Sequence, residues 1–156
     1  MNPYIRVDNR LVHGQIIATW MPHLRLQRFV VAGDGVPANT LQTTMFRMAI
    51  PGEVELDALT IADAGRFLAR RQYGEQKTMV LLESVQDAVR LFAEAPFGHL
   101  NLGNVHHGPG RQAVTDAVYL GPEDYTALGQ LARRGVRVEV RSLPSETPID
   151  LTAKLR

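Results

Sequence analysis

Short apolar runs bounded by turn residues alternate along this chain with segments whose apolar positions recur at helical spacing, the pattern an α/β fold requires. Strands are predicted near Tyr4 to Val7, Arg28 to Ala32, Glu53 to Leu56, Thr78 to Leu82, His99 to Leu102, Ala117 to Leu120 and Arg137 to Arg141. Helices are predicted between them, over His13 to His23, Ala38 to Ala49, Ile61 to Gln72, Val85 to Ala95 and Pro122 to Arg134, with a short terminal helix over Ile149 to Leu155. Met79-Val80-Leu81-Leu82 is apolar at every position, which suits a sheet covered on both faces. Pro37 and Pro122 fit first helical turns, Gly135 a C-terminal stop, and Ser84 an N-cap with Asp87 completing a capping box. No repeat, low-complexity tract or linker interrupts the chain, so residues 1–156 read as one domain.

Composition narrows the function classes. With 156 residues, of which 45% are hydrophobic and 21% charged, the chain can bury one ordinary core. A net charge of +1 gives neither the basic stripe of a nucleic-acid binder nor an acidic tail. The absence of cysteine removes disulfides, thiolate metal sites and cysteine nucleophiles together. No apolar run approaches the ~20 residues of a membrane span and no signal peptide is visible, so a cytoplasmic location is expected.

The candidate chemistry lies in Ile5-Arg6-Val7-Asp8-Asn9-Arg10-Leu11-Val12-His13-Gly14-Gln15. His13 falls at the carboxyl end of one strand and the amino end of a helix. In open α/β sheets ligands bind at that edge, and the first helical turn offers unpaired N–H groups to an anion. Arg10 can add a bidentate guanidinium, Asp8 can accept a hydrogen bond from one imidazole nitrogen, and the amides around Leu11, Val12 and Gly14 can face an anion. Arg6 could reach the same group or simply pair with Asp8. The pattern alone leaves two readings of His13 open, a solvated residue or helix cap on one side and a catalytic imidazole on the other.

Other motifs are weaker. His106-His107 is followed by Gly108-Pro109-Gly110-Arg111, but adjacent side chains on an extended segment diverge and no further ligand accompanies them, so no metal site is expected. This loop is read as a wall of the site, with Arg111 offering charge to phosphate or to a docking partner. Gly33-Asp34-Gly35 reads as a turn flanking the crevice. Trp20, His23 and His99 belong to no constellation and are read as packing or solvent-facing residues.

The string RVDNRLVHGQIIATW resembles the N-terminal signature of the IIB subunits of the mannose/fructose/sorbose family of the sugar phosphotransferase system, and Leu100 to Asn104, Gly110-Arg111-Gln112 and Leu131 to Arg141 resemble that family's later segments. The resemblance implies an α/β fold with an open, mostly parallel sheet of about seven strands, helices on both faces and an antiparallel edge strand near the end of the chain, with the first strand central. It also implies a protein-N(π)-phosphohistidine–sugar phosphotransferase, in which His13 accepts phosphate on Nδ1 from a IIA phosphoprotein. The phosphoryl group then passes to a sugar held by membrane IIC and IID subunits, with the IIB chain peripheral to the membrane and no cofactor. His13, Asp8 and Arg10 carry the catalytic roles in this reading, and Arg10, Leu11, Val12, Gly14, Arg6 and Arg111 the phosphate contacts. Asn9 stands where many relatives have a second acidic residue, which bears on partner preference. The docking surface is expected around Leu11, Val12 and the loop from Val105 to Arg111. A phosphorylatable regulatory module is the alternative, a nucleotide-binding α/β domain is more distant, and the sugar and any homo-oligomer stay open.

Overall fold

The computed structural model describes residues 1–156. Its strands are β1 (Tyr4–Asp8), β2 (Arg28–Ala32), β3 (Glu55–Leu59), β4 (Thr78–Leu82), β5 (His99–Asn104), β6 (Gln112–Ala113), β7 (Tyr119–Leu120), β8 (Arg137–Val140) and β9 (Ile149–Asp150). Seven of them form one sheet in the order β3-β2-β4-β1-β5-β8-β9, parallel throughout except for the β8–β9 edge pair. The expected fold class is thus observed, with β1 between β4 and β5 at the centre. Successive connections leave β1 toward β2 on one side and later return to build outward through β5 and β8 on the other, so the carboxyl end of β1 opens at the point where strand order reverses.

Helices cover both faces. A π-helical segment, Ile16–Trp20, runs into α1 (Met21–Leu24), and α2 (Thr40–Ala49) lies on the same face, where Ile16, Trp20 and Phe46 join a core of 13 buried residues. On the other face α3 (Ile61–Ala69), α4 (Val85–Glu94), α5 (Pro122–Arg133) and α6 (Thr152–Leu155) bury a larger core of 28 residues. The starts of α2 to α5 have local causes. The Oδ1 of Asn39, the Oγ1 of Thr60 and the Oγ of Ser84 accept the N–H of Gln42, Asp63 and Asp87, and Asp124 accepts the N–H of Gly121 ahead of Pro122. Gly135, at φ 91°, ends α5 in the left-handed conformation glycine tolerates.

Several predicted boundaries move for physical reasons. Pro37 lies in the turn ahead of α2, whose cap is Asn39, and not in the first helical turn. The turn after Pro51, closed by the Val54 N–H on the Pro51 carbonyl, shifts β3 toward Leu59. Tyr119–Leu120 stays outside the main sheet, because the chain after β5 folds into a hairpin in which β7 pairs antiparallel with β6. The seventh strand is instead β9. Ile149 and Asp150, expected to be helical, pair with Val140 and Glu139, and the helix begins only at Thr152, whose N–H donates to the Asp150 carboxylate. No helix is long and apolar enough to cross a membrane.

Candidate functional site

β1 delivers Asp8 to the sheet's carboxyl edge, and a tight turn reverses the chain at once, with the Leu11 N–H donating to the Asp8 carbonyl at 2.9 Å. The Arg10 N–H donates to Asp8 Oδ1 at 3.0 Å and ties the same turn from the side-chain end. Leu11 adopts φ 59°, a strained backbone conformation for a branched side chain, and is held there because its side chain is buried in the smaller core. The turn places His13 just ahead of a helix that starts at Gly14.

The Asp8 carboxylate, fully buried, is the hub of the site. Its Oδ2 lies 3.0 Å from His13 Nε2, 3.1 Å from Arg6 Nη2 and 3.3 Å from Arg10 Nη2, and its Oδ1 accepts from Arg10 Nε at 3.2 Å. Burial pushes the carboxyl's pKa up, but hydrogen bonds from His13 and Arg10 and the charge of Arg6 more than offset it and hold the group below the usual carboxylate range. In the neutral imidazole, an ionised Asp8 favours the tautomer with the proton on His13 Nε2 and the lone pair on Nδ1, which has no protein partner, on a side chain 16% exposed.

The predicted residues separate into two groups. His13, Asp8 and Arg10 come together, with Arg10 39% exposed and also reaching Gln15 Oε1 at 3.3 Å. The amides of Val12, His13 and Gly14 are free of backbone acceptors, whereas that of Leu11 is committed to Asp8. A side chain at Gly14 would meet nothing within 4 Å.

Arg6 takes one of the two places left open for it, pairing with Asp8, and Arg111 points back into its own loop. Arg6 is wholly buried beneath Asp8, its Nη1 donating to Asn101 Oδ1 at 2.8 Å and to the Arg141 carbonyl at 3.1 Å, its second Nη also donating to the Ser142 carbonyl at 3.1 Å. The guanidinium carbon sits 5.0 Å from the centre of the Trp20 ring, so Arg6 faces the interior and not the mouth. Arg111 folds back on its own loop, donating to the His106 carbonyl at 3.0 Å and pairing with Asp124 at 3.5 Å at the start of α5. His106 and His107 are exposed, and His107 packs edge-on against Tyr119.

Arg10 stands between two hollows. On one side a polar cavity of about 360 Å³ is lined by Gln15, Asn104, Asp116, Ser142 and Glu146 among others. On the other an apolar groove of about 470 Å³ runs along α2, past Val12, Leu41, Met45 and Phe46. The exposed apolar surface near His13 is therefore on α2, with Leu41, Met45 and Met48 open to solvent, while Leu11 and Val105 are buried. The spacing along the chain did not show this exposed surface, because α2 shows the same helical spacing whether its second apolar side is covered or not.

A polar ladder also went unread. Tyr4, Arg6 and Asp8 of β1 share a sheet face with His99 and Asn101 of β5 and Glu139 of β8, where Arg6 aligns with Asn101 and Asn101 with Glu139. Glu139 Oε1 accepts from Tyr4 Oη at 3.0 Å, lies 3.0 Å from His99 Nε2 and 3.4 Å from Asn101 Nδ2. Burial raises Glu139, but the hydrogen bond and charge of His99 and the Tyr4 hydroxyl hold it below the usual range, and burial beside that carboxylate pushes Tyr4 up. The signal was present as strict polar–apolar alternation within three strands that are buried on both faces.

Known proteins match this arrangement along its whole length. The chain is 28% identical over 152 residues to the fructose-specific EIIB component of the phosphotransferase system of Bacillus subtilis, covering 97% of this chain and 93% of the relative. It is 27% identical over 154 residues to the mannose-specific EIIAB component of Escherichia coli, covering 96% of this chain and 48% of that longer protein. The crystal structure of the IIB domain of the sorbose permease from Klebsiella pneumoniae superposes with a TM-score of 0.87 at 25% identity, over 97% of this chain and 94% of that one. The model of the sorbose-subfamily IIB component matches residues 3–156, and the chain belongs to that family of the sugar phosphotransferase system.

Proposed function

We propose that residues 1–156 act as a single phosphoryl carrier, taking a phosphoryl group on His13 Nδ1 from the phosphohistidine of a IIA protein and passing it to a sugar held by IIC and IID membrane subunits. The observation that carries this reading is the contact of His13 Nε2 with buried Asp8, which leaves Nδ1 free to act as the nucleophile, while Arg10 binds the same carboxylate. The mannose relative, whose name joins IIA and IIB in one chain, supports a IIA donor. The relatives are named for different sugars, and the sugar accordingly belongs to the membrane partners.

In the first step the Nδ1 lone pair forms a bond to phosphorus while the donor's N–P bond breaks and its imidazole keeps the electron pair. Phosphorylated His13 keeps its Nε2 proton, and the positive charge the ring gains is neutralised by Asp8, already ionised and aligned. Arg10 and the free amides of Val12 and Gly14 face the charge spread over the phosphoryl oxygens, so catalysis is mostly positioning and charge neutralisation. In the second step a sugar hydroxyl oxygen attacks phosphorus, the N–P bond breaks with its pair returning to Nδ1, and the hydroxyl proton leaves to solvent or a base of the partner. The apolar groove along α2, contiguous with Arg10 and Val12, is where the IIA protein docks.

Labelling tests this reading. Incubation with phosphoenolpyruvate, the general phosphotransfer proteins and a IIA protein should label the wild type on His13 and leave His13→Ala unlabelled. An unlabelled wild type, or equal label on His13→Ala, overturns it.

A further inference from the structure

The site described so far uses Asp8 as an orienter but leaves open what orients Asp8. A buried carboxylate at a turn has alternatives. It can swing toward Arg10, which is partly exposed and carries its own flexible stem, and the imidazole would then lose its partner. The interior side of the carboxylate is different, because there every group is locked by the sheet.

Arg6 is the interior partner. Its two Nη atoms make four hydrogen bonds, to Asp8, Asn101 and the carbonyls of Arg141 and Ser142, and only its Nε lacks an acceptor. The fork geometry of a guanidinium makes these bonds mutually dependent, since the plane that suits one pair fixes the direction of the others. Asn101 is itself held, its Nδ2 donating to the Arg141 carbonyl at 3.2 Å.

Gly103 supplies the second constraint. β1 and β5 slip register between Val7 and Asp8, so that Leu102 faces Val7 while Asn104 faces Asp8, and Gly103 is the extra residue of that bulge. A Cβ at Gly103 would lie 1.9 Å from the Arg6 guanidinium carbon and 2.2 and 2.3 Å from its Nη atoms. The guanidinium therefore occupies the space a side chain at residue 103 would take. Its backbone is pinned in turn, because the Ser142 hydroxyl donates to the Gly103 carbonyl at 2.7 Å.

We propose that Asn101 and Gly103 of β5 are positioning residues for phosphoryl transfer, which act by fixing the Arg6 guanidinium against Asp8 and thereby hold His13 in the tautomer with its proton on Nε2. Neither residue touches the reacting atoms. Both lie on the central pair of strands, where the bulge turns a sheet register into the orientation of one carboxylate. The inference rests on the phosphohistidine reading for its kinetic consequence but not for its structural one, since the tautomer exists before any phosphoryl donor arrives.

Two measurements test it. Imidazole ¹⁵N spectra of the unphosphorylated wild type should show His13 with Nε2 protonated and Nδ1 bare, and Asn101→Ala and Gly103→Ala should each move the ring toward a mixture of tautomers. Their phosphorylation rates should fall by about ten- to a hundred-fold, the size of loss that follows when the groups orienting a metal-ligating histidine are removed. In an Arg6→Met background Gly103→Ala should cost nothing further, because the group it displaces is gone. A wild-type His13 protonated on Nδ1, variants with an unmoved tautomer, or additive losses in the double variant overturns the proposal. A wild type that shows the expected tautomer yet accepts no phosphate overturns the phosphohistidine reading and leaves this one standing.

Discussion

The two faces of strands β1, β5 and β8 are equally buried and built from opposite materials. Toward α4 and α5 they present Ile5, Val7, Leu100, Leu102, Val138 and Val140, all within the larger core. Toward Trp20 they present Tyr4, Arg6, Asp8, His99, Asn101 and Glu139, none more than 6% exposed. The apolar face holds by area and packing, which are non-directional, so its members can be exchanged with graded losses. The polar face holds by bonds with fixed directions between charges that cannot return to water, so each member constrains the next. The site proposed here sits where directional order reaches the surface, at Asp8 and His13, while the opposite face supplies stability with no say in how the imidazole is oriented.

The contrast can be broken most sharply at Asp8. Asp8→Asn removes the countercharge of buried Arg6 and should lower the unfolding free energy by about 3–5 kcal/mol in urea titrations, because the guanidinium stays buried without its partner. A slightly smaller loss, about 2–5 kcal/mol, is expected for Leu102→Ala on the apolar face, from lost burial and the cavity left behind. The telling difference is functional. Folded Leu102→Ala should be phosphorylated at the wild-type rate in the labelling assay, whereas folded Asp8→Asn should not, since an amide no longer stabilises a proton on His13 Nε2 as a carboxylate does.

The smallest effect is on pH dependence. Asp8 titrates below its ordinary range in the folded protein, with Arg6, Arg10 and His13 around it, so its contribution to stability is complete above the unfolded value near ~3.9 and is lost as pH falls through the lowered folded value. Glu139, held down by His99 and Tyr4, acts in the same direction. The wild type should therefore lose urea resistance on acidification below about pH 4, and Asp8→Asn should lose less over that interval. Parallel acid profiles would show that the polar face is held by contacts that do not depend on charge.

The legibility of the molecule follows the range of the interactions involved. The helix starts at Ser84 and Pro122 and the stop at Gly135 were readable because capping acts within one turn. The switch of Ile149 and Asp150 from expected helix to edge strand was not, because two residues become a strand only when Val140 and Glu139 stand ready to pair. Arg6 shows the same limit at the site. Its alternation with Asp8 allowed a place at the mouth or beneath it, and only the neighbouring Asn101 and the empty space over Gly103 decide for the interior. Arg111 was likewise drawn away from the site by Asp124, a residue that helix α5 brings up from a different part of the chain.

The sequence by itself determined that this protein is an α/β sheet with His13 in the loop after the first strand, because periodicity, capping and the local spacing of Asp8, Arg10 and His13 are short-range properties. The tertiary structure decided which strands are neighbours, and with that which polar residues meet. Three separate alternations became one buried ladder only through the order β1-β5-β8. A charge far from water takes its partner from whatever the fold brings within about 3 Å, and no spacing along a chain records that.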